Sequence, residues 1–243
     1  SLLDKEGNKI ATLENGKVER LLTIPIDNPH LWSVEDPYLY DLDIAILKDG
    51  VQTDAVSSYC GMRKIEVKKV GETPRIFLNG KQIFQMGPLD QGWWPDGLYT
   101  APSDEALLFD IKAMKALEFN MIRKHIKIEP ARWYMHCDRE GILVWQDLPS
   151  PNLPSGYEDY AKKNFEDESK RIITAFRNHP SIIQWVVFNE GWGQFDTERM
   201  TQIVIGEVGQ SLVCCASGWV DAPIGDIKDS HSYPNPSCPL DET

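Results

Sequence analysis

Across the first seventy residues, the pattern of apolar and polar positions predicts β-strands. The segment 38–47 has the clearest alternation, with leucine, isoleucine and alanine interleaved with aspartate. Lys48-Asp49-Gly50 follows as a turn signal, and 51–67 predicts a strand pair that bends near Gly61. A further strand is predicted over 18–26. Because no helical period interrupts this stretch, the pattern predicts an antiparallel, sandwich-like fold with too few strands to be complete.

After about residue 82 the pattern changes to short apolar strands that alternate with amphipathic helices. The predicted strands are 83–86, 120–123, 142–145, 181–188 and 212–216, with a sixth opening at 226–227. The predicted helices are 104–117, 130–141, 160–178 and 196–208. Continuously apolar strands joined by helices are typical of parallel sheets. The pattern therefore predicts part of a (β/α)8 barrel, about two strands short, or an open doubly wound sheet; no phosphate-binding glycine motif supports a nucleotide-binding version of the latter.

The composition and net charge of the chain argue against several classes of binding partner and cofactor. The 243 residues carry a formal net charge of −12, which argues against nucleic acid and against a membrane surface. No apolar run is long enough to span a bilayer, and no signal peptide is visible. Five cysteines without a CxxC pair and five histidines without HExxH predict no disulfide framework, no metal and no other cofactor. The compartment stays open between cytoplasm, which free cysteines favour, and export of a longer parent protein.

Polar residues follow each predicted strand of the second half. They are Asp90, Arg123-Lys124-His125, Gln146-Asp147, Asn189-Glu190 and His231-Ser232-Tyr233. The carboxyl ends of parallel strands meet at one edge, and reactive side chains of such folds lie there. The repetition therefore predicts one polar rim rather than a chance succession.

Asn189-Glu190 is the most specific of these pairs, because it ends a buried strand and precedes Gly191-Trp192-Gly193. A carboxyl group beside an indole has its ionised form disfavoured, so we expect a raised pKa for Glu190, as a general acid requires. The alternative is a glutamate that caps the next helix. Arg123 is the predicted counter-charge of a neighbouring carboxylate, and its alternative is a surface salt bridge.

The segment 178–190, Asn-His-Pro-Ser followed by an apolar strand and Asn-Glu, resembles the acid/base signature of glycoside hydrolase family 2. That family includes β-galactosidases, β-glucuronidases and β-mannosidases. Segment 119–125 resembles the family's second barrel strand, 133–142 its helix-to-strand segment, and 144–147 its mannosidase-like branch. Segment 29–40 resembles a stretch of its immunoglobulin-like domain, and 59–65 resembles the segment that leads from that domain into the barrel. The resemblance implies an immunoglobulin-like β-sandwich remnant over 1–73 and an incomplete (β/α)8 TIM barrel over 74–243.

The same resemblance implies roles for individual residues. Glu190 would be the general acid/base, and Asn189 would hydrogen-bond the sugar 2-hydroxyl. Arg123 would brace the carboxylates, and Tyr233 would touch the nucleophile. The side chains expected to line the sugar subsite are His125, Trp145, Asp147, Asp90 and His231.

The chain also departs from the family pattern. The histidine after Arg123 is one place from its usual position, and Gln146-Asp147 stands where the family has Asp-Glu. The family nucleophile is a glutamate on the seventh barrel strand, beyond the six predicted here. We therefore expect a fragment of a retaining β-glycosidase that acts on a carbohydrate substrate and is inactive by itself.

Two other functions stay open. One is a catalytically inactive carbohydrate-binding or scaffold protein, which the Trp93-Trp94 pair favours. The other is an inverting or metal-assisted hydrolase with Asp147 as its base. The sequence leaves the sugar and the oligomeric state open.

Overall fold

The computed structural model describes residues 1–17, 22–150 and 159–237. The strands of this part are β1 (Leu2–Leu3), β2 (Lys9–Ala11), β3 (Tyr40–Lys48), β4 (Val51–Cys60), β5 (Ile65–Val70), β6 (Thr73–Leu78), β7 (Lys81–Gln82), β8 (Leu89–Asp90), β9 (Met121–Lys124), β10 (Leu143–Asp147), β11 (Ile182–Asn189) and β12 (Leu212–Ser217). Its helices are α1 (Asp104–Ala116), α2 (Ala131–Glu140), α3 (Asp159–Phe176) and α4 (Thr197–Val208).

The first sheet is antiparallel in the order β2-β1-β3-β4. Its main hairpin joins β3 to β4, and Tyr40 pairs with Cys60 at the far end. Asp49 and Gly50 both have positive φ (53° and 79°), as the tight hairpin turn between right-twisted strands requires. The alternating pattern over 38–47 thus predicts this strand correctly.

The strand predicted over 18–26 is wrong in the part that can be compared. Residues 18–21 lie outside the described residues, and 22–26 form no strand. Pro25 lies in the middle of that stretch and has no N–H to give to a ladder, so the apolar residues around it cannot pair as a strand.

A second, three-stranded sheet of order β5-β6-β7 connects the two halves of the chain. β5 and β6 pair antiparallel from Ile65 with Leu78 to Val70 with Thr73. Asn79 and Gly80, with φ of 52° and 77°, make the next turn, as predicted. The predicted boundary between two domains, after residue 73, falls within this hairpin, where Val70 pairs with Thr73. The division of the chain into domains stays a prediction.

The third sheet has five parallel strands in the order β12-β11-β10-β9-β8. Consecutive strands are neighbours throughout, which is the order of a barrel, whereas a doubly wound sheet reverses direction. A sandwich-type sheet followed by an incomplete barrel is therefore confirmed for the described residues.

Two barrel strands differ from the prediction. The first is Leu89–Asp90 rather than 83–86, because Pro88 gives no N–H and a Cβ on Gly87 would lie only 1.7 Å from the Met121 carbonyl oxygen. At 226–227 the described chain has only an isolated bridge from Ile227 to Cys214, not a sixth strand. The Asp226 side chain instead accepts a hydrogen bond from the N–H of Val213 (2.9 Å).

The helices begin and end where the sequence predicts within a residue or two. Ser103 caps α1 by accepting a hydrogen bond from the N–H of Ala106 (3.2 Å), and Gly141 ends α2 with φ 72°. Among the described residues, no helix combines the length and the hydropathy needed to cross a membrane.

Two polar clusters join the first part of the chain to the amino-terminal edge of the barrel. Arg63 donates to the carbonyl oxygens of Pro180 (3.1 Å), Gln210 (3.0 Å) and Ile182 (2.7 Å), and to the hydroxyl of Ser211 (3.0 Å). These bonds fasten the segment after β4 to the starts of β11 and β12.

The second cluster centres on Asp138, which is fully buried in α2. Its carboxylate accepts from the Tyr59 hydroxyl (2.7 Å) and the Ser181 N–H (2.9 Å), and lies 2.6 Å from His179 Nδ1. Beside it the buried Trp32 donates its indole N–H to the Asp138 carbonyl (2.8 Å). Together the clusters fix the strands that carry the polar residues of the opposite edge.

Candidate active site

The predicted polar residues meet at the carboxyl-terminal edge of the parallel sheet. β9 to β12 run in register, so that Arg123 lies opposite Trp145, Asp147 opposite Val186 and Asn189 opposite Ser217. The last residues of these strands and the loops after them therefore face one another.

Arg123 is the centre of this edge and is only 6% exposed. Its guanidinium makes two bonds to the Asp147 carboxylate, from Nε (3.1 Å) and Nη2 (2.9 Å). Nη2 also donates to Oδ1 of Asn189 (2.8 Å), and Nη1 lies 3.1 Å from Nε2 of His231. One rigid fork thus orients three side chains from three different chain segments.

Glu190 stands next to this group, directly after β11, with a left-handed backbone (φ 52°). Its N–H donates to the Ser217 carbonyl (2.8 Å). Its Oε1 lies 2.6 Å from Nδ1 of His231 and accepts from the hydroxyl of Tyr233 (3.2 Å). The carboxylate is therefore held by the chain that follows β12.

His231 connects Glu190 to Arg123. Its Nε2 faces Nη1 of Arg123, which can only donate, so Nε2 accepts and the proton lies on Nδ1, pointing at Glu190. Nε2 also lies 2.8 Å from the Ser217 hydroxyl, which donates to Asp229. The network thus assigns the tautomer of His231.

The pKa of Glu190 is lowered, not raised as the neighbouring indole led us to expect. Burial raises this pKa, but the hydrogen bonds from His231 and Tyr233 outweigh burial because they favour the ionised carboxylate. The side chain is 19% exposed, so burial is incomplete. The contacts of Glu190 therefore favour its ionised form.

Asp147 and His125 are shifted by burial. Burial raises the pKa of the Asp147 carboxyl, although the charge and hydrogen bonds of Arg123 oppose the shift. Burial also lowers the pKa of His125, against the opposite effect of Asp147. Burial therefore disfavours the charged form of both groups. Arg123 compensates for this at Asp147, whereas its charge lowers the pKa of His125 further.

Two predicted residues lie apart from this cluster. Asp90 binds Nζ of Lys124 (2.5 Å) and the N–H of Gly92 (2.7 Å), and Lys124 points to the face of β9 opposite Arg123. Trp145 donates its indole N–H to Gln85 and packs against the core cluster around Trp32. Their roles in sugar binding stay predictions.

Ser217 and Asp229 belong to the site although the sequence did not single them out. Asp229 lies 4.0 Å from Nη1 of Arg123 and accepts from Ser217. The available signal was weak: Ser217 follows the last apolar residue of a predicted strand, and Asp229 stands two places before His231.

A cavity of about 410 Å³ lies on the other side of β8, between that strand and α1. Its lining includes Asp90, Trp93, Asp110, Ile111 and Trp133, and it does not include Asp147, Asn189, Glu190 or His231. Within the described ranges no group of three or more histidine, cysteine, aspartate or glutamate side chains could hold a metal ion.

Two family models match the sequence. Residues 2–63 match "Glycosyl hydrolases family 2", and residues 72–227 match "Glycosyl hydrolases family 2, TIM barrel domain". Together they include both parts of the fold described above.

Curated relatives include two β-galactosidases and a β-glucuronidase. The chain is 29% identical to the β-galactosidase of Halalkalibacterium halodurans over 79% of its length, and 34% identical to that of Oenococcus oeni over 70%. It is 29% identical to the β-glucuronidase of Bacteroides fragilis over 76%. These alignments cover 20%, 17% and 27% of the relatives, so the chain spans between about a sixth and just over a quarter of their length.

Solved structures with the same fold include two β-glucuronidases. That of Ruminococcus gnavus, in complex with a C6-substituted uronic isofagomine, superposes with a TM-score of 0.75 at 22% identity, over 87% of this chain and 37% of that one. That of Parabacteroides merdae gives 0.73 at 20% identity, over 90% and 30%. At these identities the likeness shows the fold alone.

Proposed function

Because the chain belongs to glycoside hydrolase family 2, we propose that it is part of a retaining β-glycosidase in which Glu190 is the general acid/base. The observation that carries the proposal is the hydrogen-bonded position of Glu190 beside Arg123, Asp147 and Asn189, at the edge where parallel sheets hold their reactive groups. Its substrate would be a carbohydrate with an O-glycosidic bond.

An acid/base residue must first give a proton to the leaving oxygen and later take one from water. His231 and Tyr233 both bond to Oε1 of Glu190, and the Trp192 side chain also hydrogen-bonds to this carboxylate. Proton donation needs a higher pKa than the structure gives. A second carboxylate 5–5.5 Å away, as retaining glycosidases have, and a bound sugar that excludes water both raise it.

Asn189 is positioned to recognise a sugar hydroxyl. Its Oδ1 is taken by Arg123 (2.8 Å), which leaves the amide N–H groups as donors toward a substrate. A bond to the 2-hydroxyl would strengthen in the transition state. His125, Asp147 and His231 would line the same sugar subsite, and Asp90 and Trp145 would contribute from farther away.

The nucleophile would come from outside these 243 residues. A retaining mechanism needs a second carboxylate on the opposite face of the sugar, and Asp147 is engaged by both arms of the Arg123 fork. The relatives are about four to six times as long as the matched part, which is compatible with a nucleophile elsewhere in a longer parent protein. We therefore expect no turnover from this chain alone.

The test is Glu190→Gln in the full-length parent, assayed with two substrates. A glycoside with a poor leaving group should lose about 10²–10⁴-fold in rate, whereas an activated aryl glycoside should lose much less because its leaving group needs no proton. Glu198→Gln is the matched control, since Glu198 is exposed on α4.

Three results would contradict parts of the proposal. Equal loss on both substrates, or no loss on either, would remove Glu190 from the acid/base role. Hydrolysis by the purified 243-residue chain would show that a second carboxylate within it, Asp147 first, acts as nucleophile or base. A parent that binds sugars and hydrolyses none would favour the alternative, a carbohydrate-binding or scaffold protein.

A further inference from the structure

The tryptophans of this chain divide by location. Those of the core are at most 2% exposed: Trp32, Trp133 and Trp185. Those that are more than 40% exposed all lie in loops at the carboxyl-terminal edge of the parallel sheet: Trp93 (55%), Trp192 (49%) and Trp219 (44%). Trp192 and Trp219 follow β11 and β12 and border Glu190, whereas Trp93 follows β8 at the other end of the sheet.

Trp93 is paired with a second exposed aromatic residue. Its ring stacks on that of Tyr99, with centroids 4.3 Å apart and planes inclined by 29°. The pair nevertheless stays open to solvent, since Tyr99 is 52% exposed. Large aromatic side chains gain most by burial, so an exposed pair of this kind is typical of a binding surface.

A buried lysine holds this pair in place. Lys127, only 7% exposed, donates to the carbonyl oxygens of Gly92 (2.7 Å) and Tyr99 (2.9 Å), the residues at the two ends of the loop. The carboxylate of Glu129 lies 2.9 Å from the same Nζ.

Gly92 is required for that bracing. Its φ is +66°, and a Cβ there would lie 2.6 Å from Nζ of Lys127 and from Oε1 of Glu129. The loop is therefore ordered from within, and a ligand that binds the aromatic pair would pay little for ordering it.

The pair is continuous with the proposed active site. Gln91, two residues before Trp93, has Nε2 3.2 Å from Nδ1 of His125, which follows the strand of Arg123. In the sheet, β8 lies three strands from β11, on the order of 14 Å along the sheet from Glu190. The ring whose bond Glu190 protonates would not reach that far.

We propose that Trp93 and Tyr99 form a stacking platform for a second sugar unit of the substrate, so that the substrate is an oligosaccharide or carries at least one sugar beyond the ring being cleaved. A pyranose ring presents a flat C–H face that suits an aromatic surface with polar groups around its border. This inference rests on the proposed function, and its test separates the two.

The test is binding to the full-length parent carrying Glu190→Gln, measured by calorimetry without turnover. The probes are the methyl β-glycosides of galactose, glucose, mannose and xylose, and the β-linked di-, tri- and tetrasaccharides of each. We expect one series to bind about tenfold more tightly when a further sugar unit is added. Adding Trp93→Ala should remove most of that gain, and Tyr99→Ala should reduce it.

Two further variants separate binding from folding. Trp93→Phe keeps an aromatic face and should restore most of the gain from the added sugar, which a purely structural role for the indole would not predict. Phe109→Ala is the control, because Phe109 is 70% exposed on α1. The affinity that Phe109→Ala gains with each added sugar unit should equal that of the parent.

The platform is refuted if no oligosaccharide binds better than its methyl monoside, or if the gain from length survives Trp93→Ala. Failure of the proposed function is a different result, in which the unmutated parent hydrolyses no glycoside. A length gain that depends on Trp93 would still support the platform in that case. Conversely, a parent that cleaves glycosides with no contribution from Trp93 would overturn the platform alone.

Discussion

Two arginines stand at opposite edges of the parallel sheet and differ in what they hold. At the amino-terminal edge Arg63 binds three backbone carbonyl oxygens and one hydroxyl. At the carboxyl-terminal edge the guanidinium of Arg123 contacts the side chains of Asp147, Asn189 and His231, and Asp229 lies 4.0 Å away. The first fixes the path of the backbone, and the second fixes groups that can meet a substrate.

Their electrostatics differ in the same way. Burial lowers the pKa of Arg63 to about 10, and the charge of Asp138 offsets only part of that effect. Burial acts on Arg123 too, but Asp147 and Asp229 outweigh it and raise its pKa. A guanidinium that only supports architecture needs no carboxylate partner, whereas one that orients a site shares its charge with the groups it orients.

The largest effect that would test this contrast is expected from Arg123→Met. It leaves Asp147 buried without its partner, which should cost about 3–5 kcal/mol in the free energy of unfolding and abolish hydrolysis by the full-length parent. Adding Asp147→Asn removes the unpaired charge. The double variant should regain much of the stability, measured by chemical denaturation, and none of the activity. Recovery of activity would show that Arg123 acts only through stability.

Arg63→Met should be next in size. Three carbonyl oxygens and the Ser211 hydroxyl lose a charged donor, so we expect a loss of about 2–3 kcal/mol. Because Arg63 touches no side chain of the site, kcat and KM of the folded fraction should stay near those of the parent. Arg75→Met, at an exposed position, is the control and should change stability by less than about 0.5 kcal/mol. A change in kcat of Arg63→Met without a change in its stability would contradict the assignment of a purely structural role to Arg63.

Tyr59→Phe should give a smaller loss of about 1–2 kcal/mol. It removes one hydrogen bond to the buried Asp138 carboxylate, which keeps the Ser181 N–H and its contact with His179. Denaturation of the parent and the variant side by side measures the difference. A loss of stability as large as that of Arg63→Met would mean that Tyr59 contributes as much as Arg63 to holding the first part of the chain against the barrel.

The smallest effect concerns pH. The folded state lowers the pKa of Glu190 below 4.5, so the unfolded chain binds this proton more readily. The stability that results is complete above pH 4.5 and is lost as the pH falls through the lowered value. Glu190→Gln should therefore flatten the loss of stability below pH 4.5, measured as melting temperature against pH. Asp147, whose pKa is raised, contributes in the opposite direction. A steeper acid loss in Glu190→Gln would contradict the assigned contacts.

Much of the fold could be predicted because the period of the pattern is a local property. The alternation over 38–47 and the caps at Ser103 and Gly141 are fixed by neighbouring residues. The first barrel strand was misplaced because its position depends on the close approach of Gly87 to Met121, which is far away in sequence.

The site could be predicted only in part. Strand ends identified Arg123, Asp147 and Glu190, since parallel strands bring their ends together. The direction of the pKa shift of Glu190 was wrong, because it depends on His231 and Tyr233, which reach the carboxylate from 41 and 43 residues away. Trp192 also lowers this pKa, through a side-chain hydrogen bond to the carboxylate, rather than raising it as an apolar neighbour would.

The left-handed backbone of Glu190 lowers the stability of the fold at a residue whose carboxylate has a proposed function. A residue other than glycine or asparagine in the left-handed region costs about 1 kcal/mol, and Glu190 has φ 52°. Glycine adopts this conformation without strain. A substitution of Glu190 by glycine would therefore raise the stability of the folded chain, but it would also remove the carboxylate. If Glu190 has the proposed acid/base role, glycine or asparagine is the residue expected at this position in relatives that have lost that role, and a retained glutamate would mark relatives in which the carboxylate is still needed.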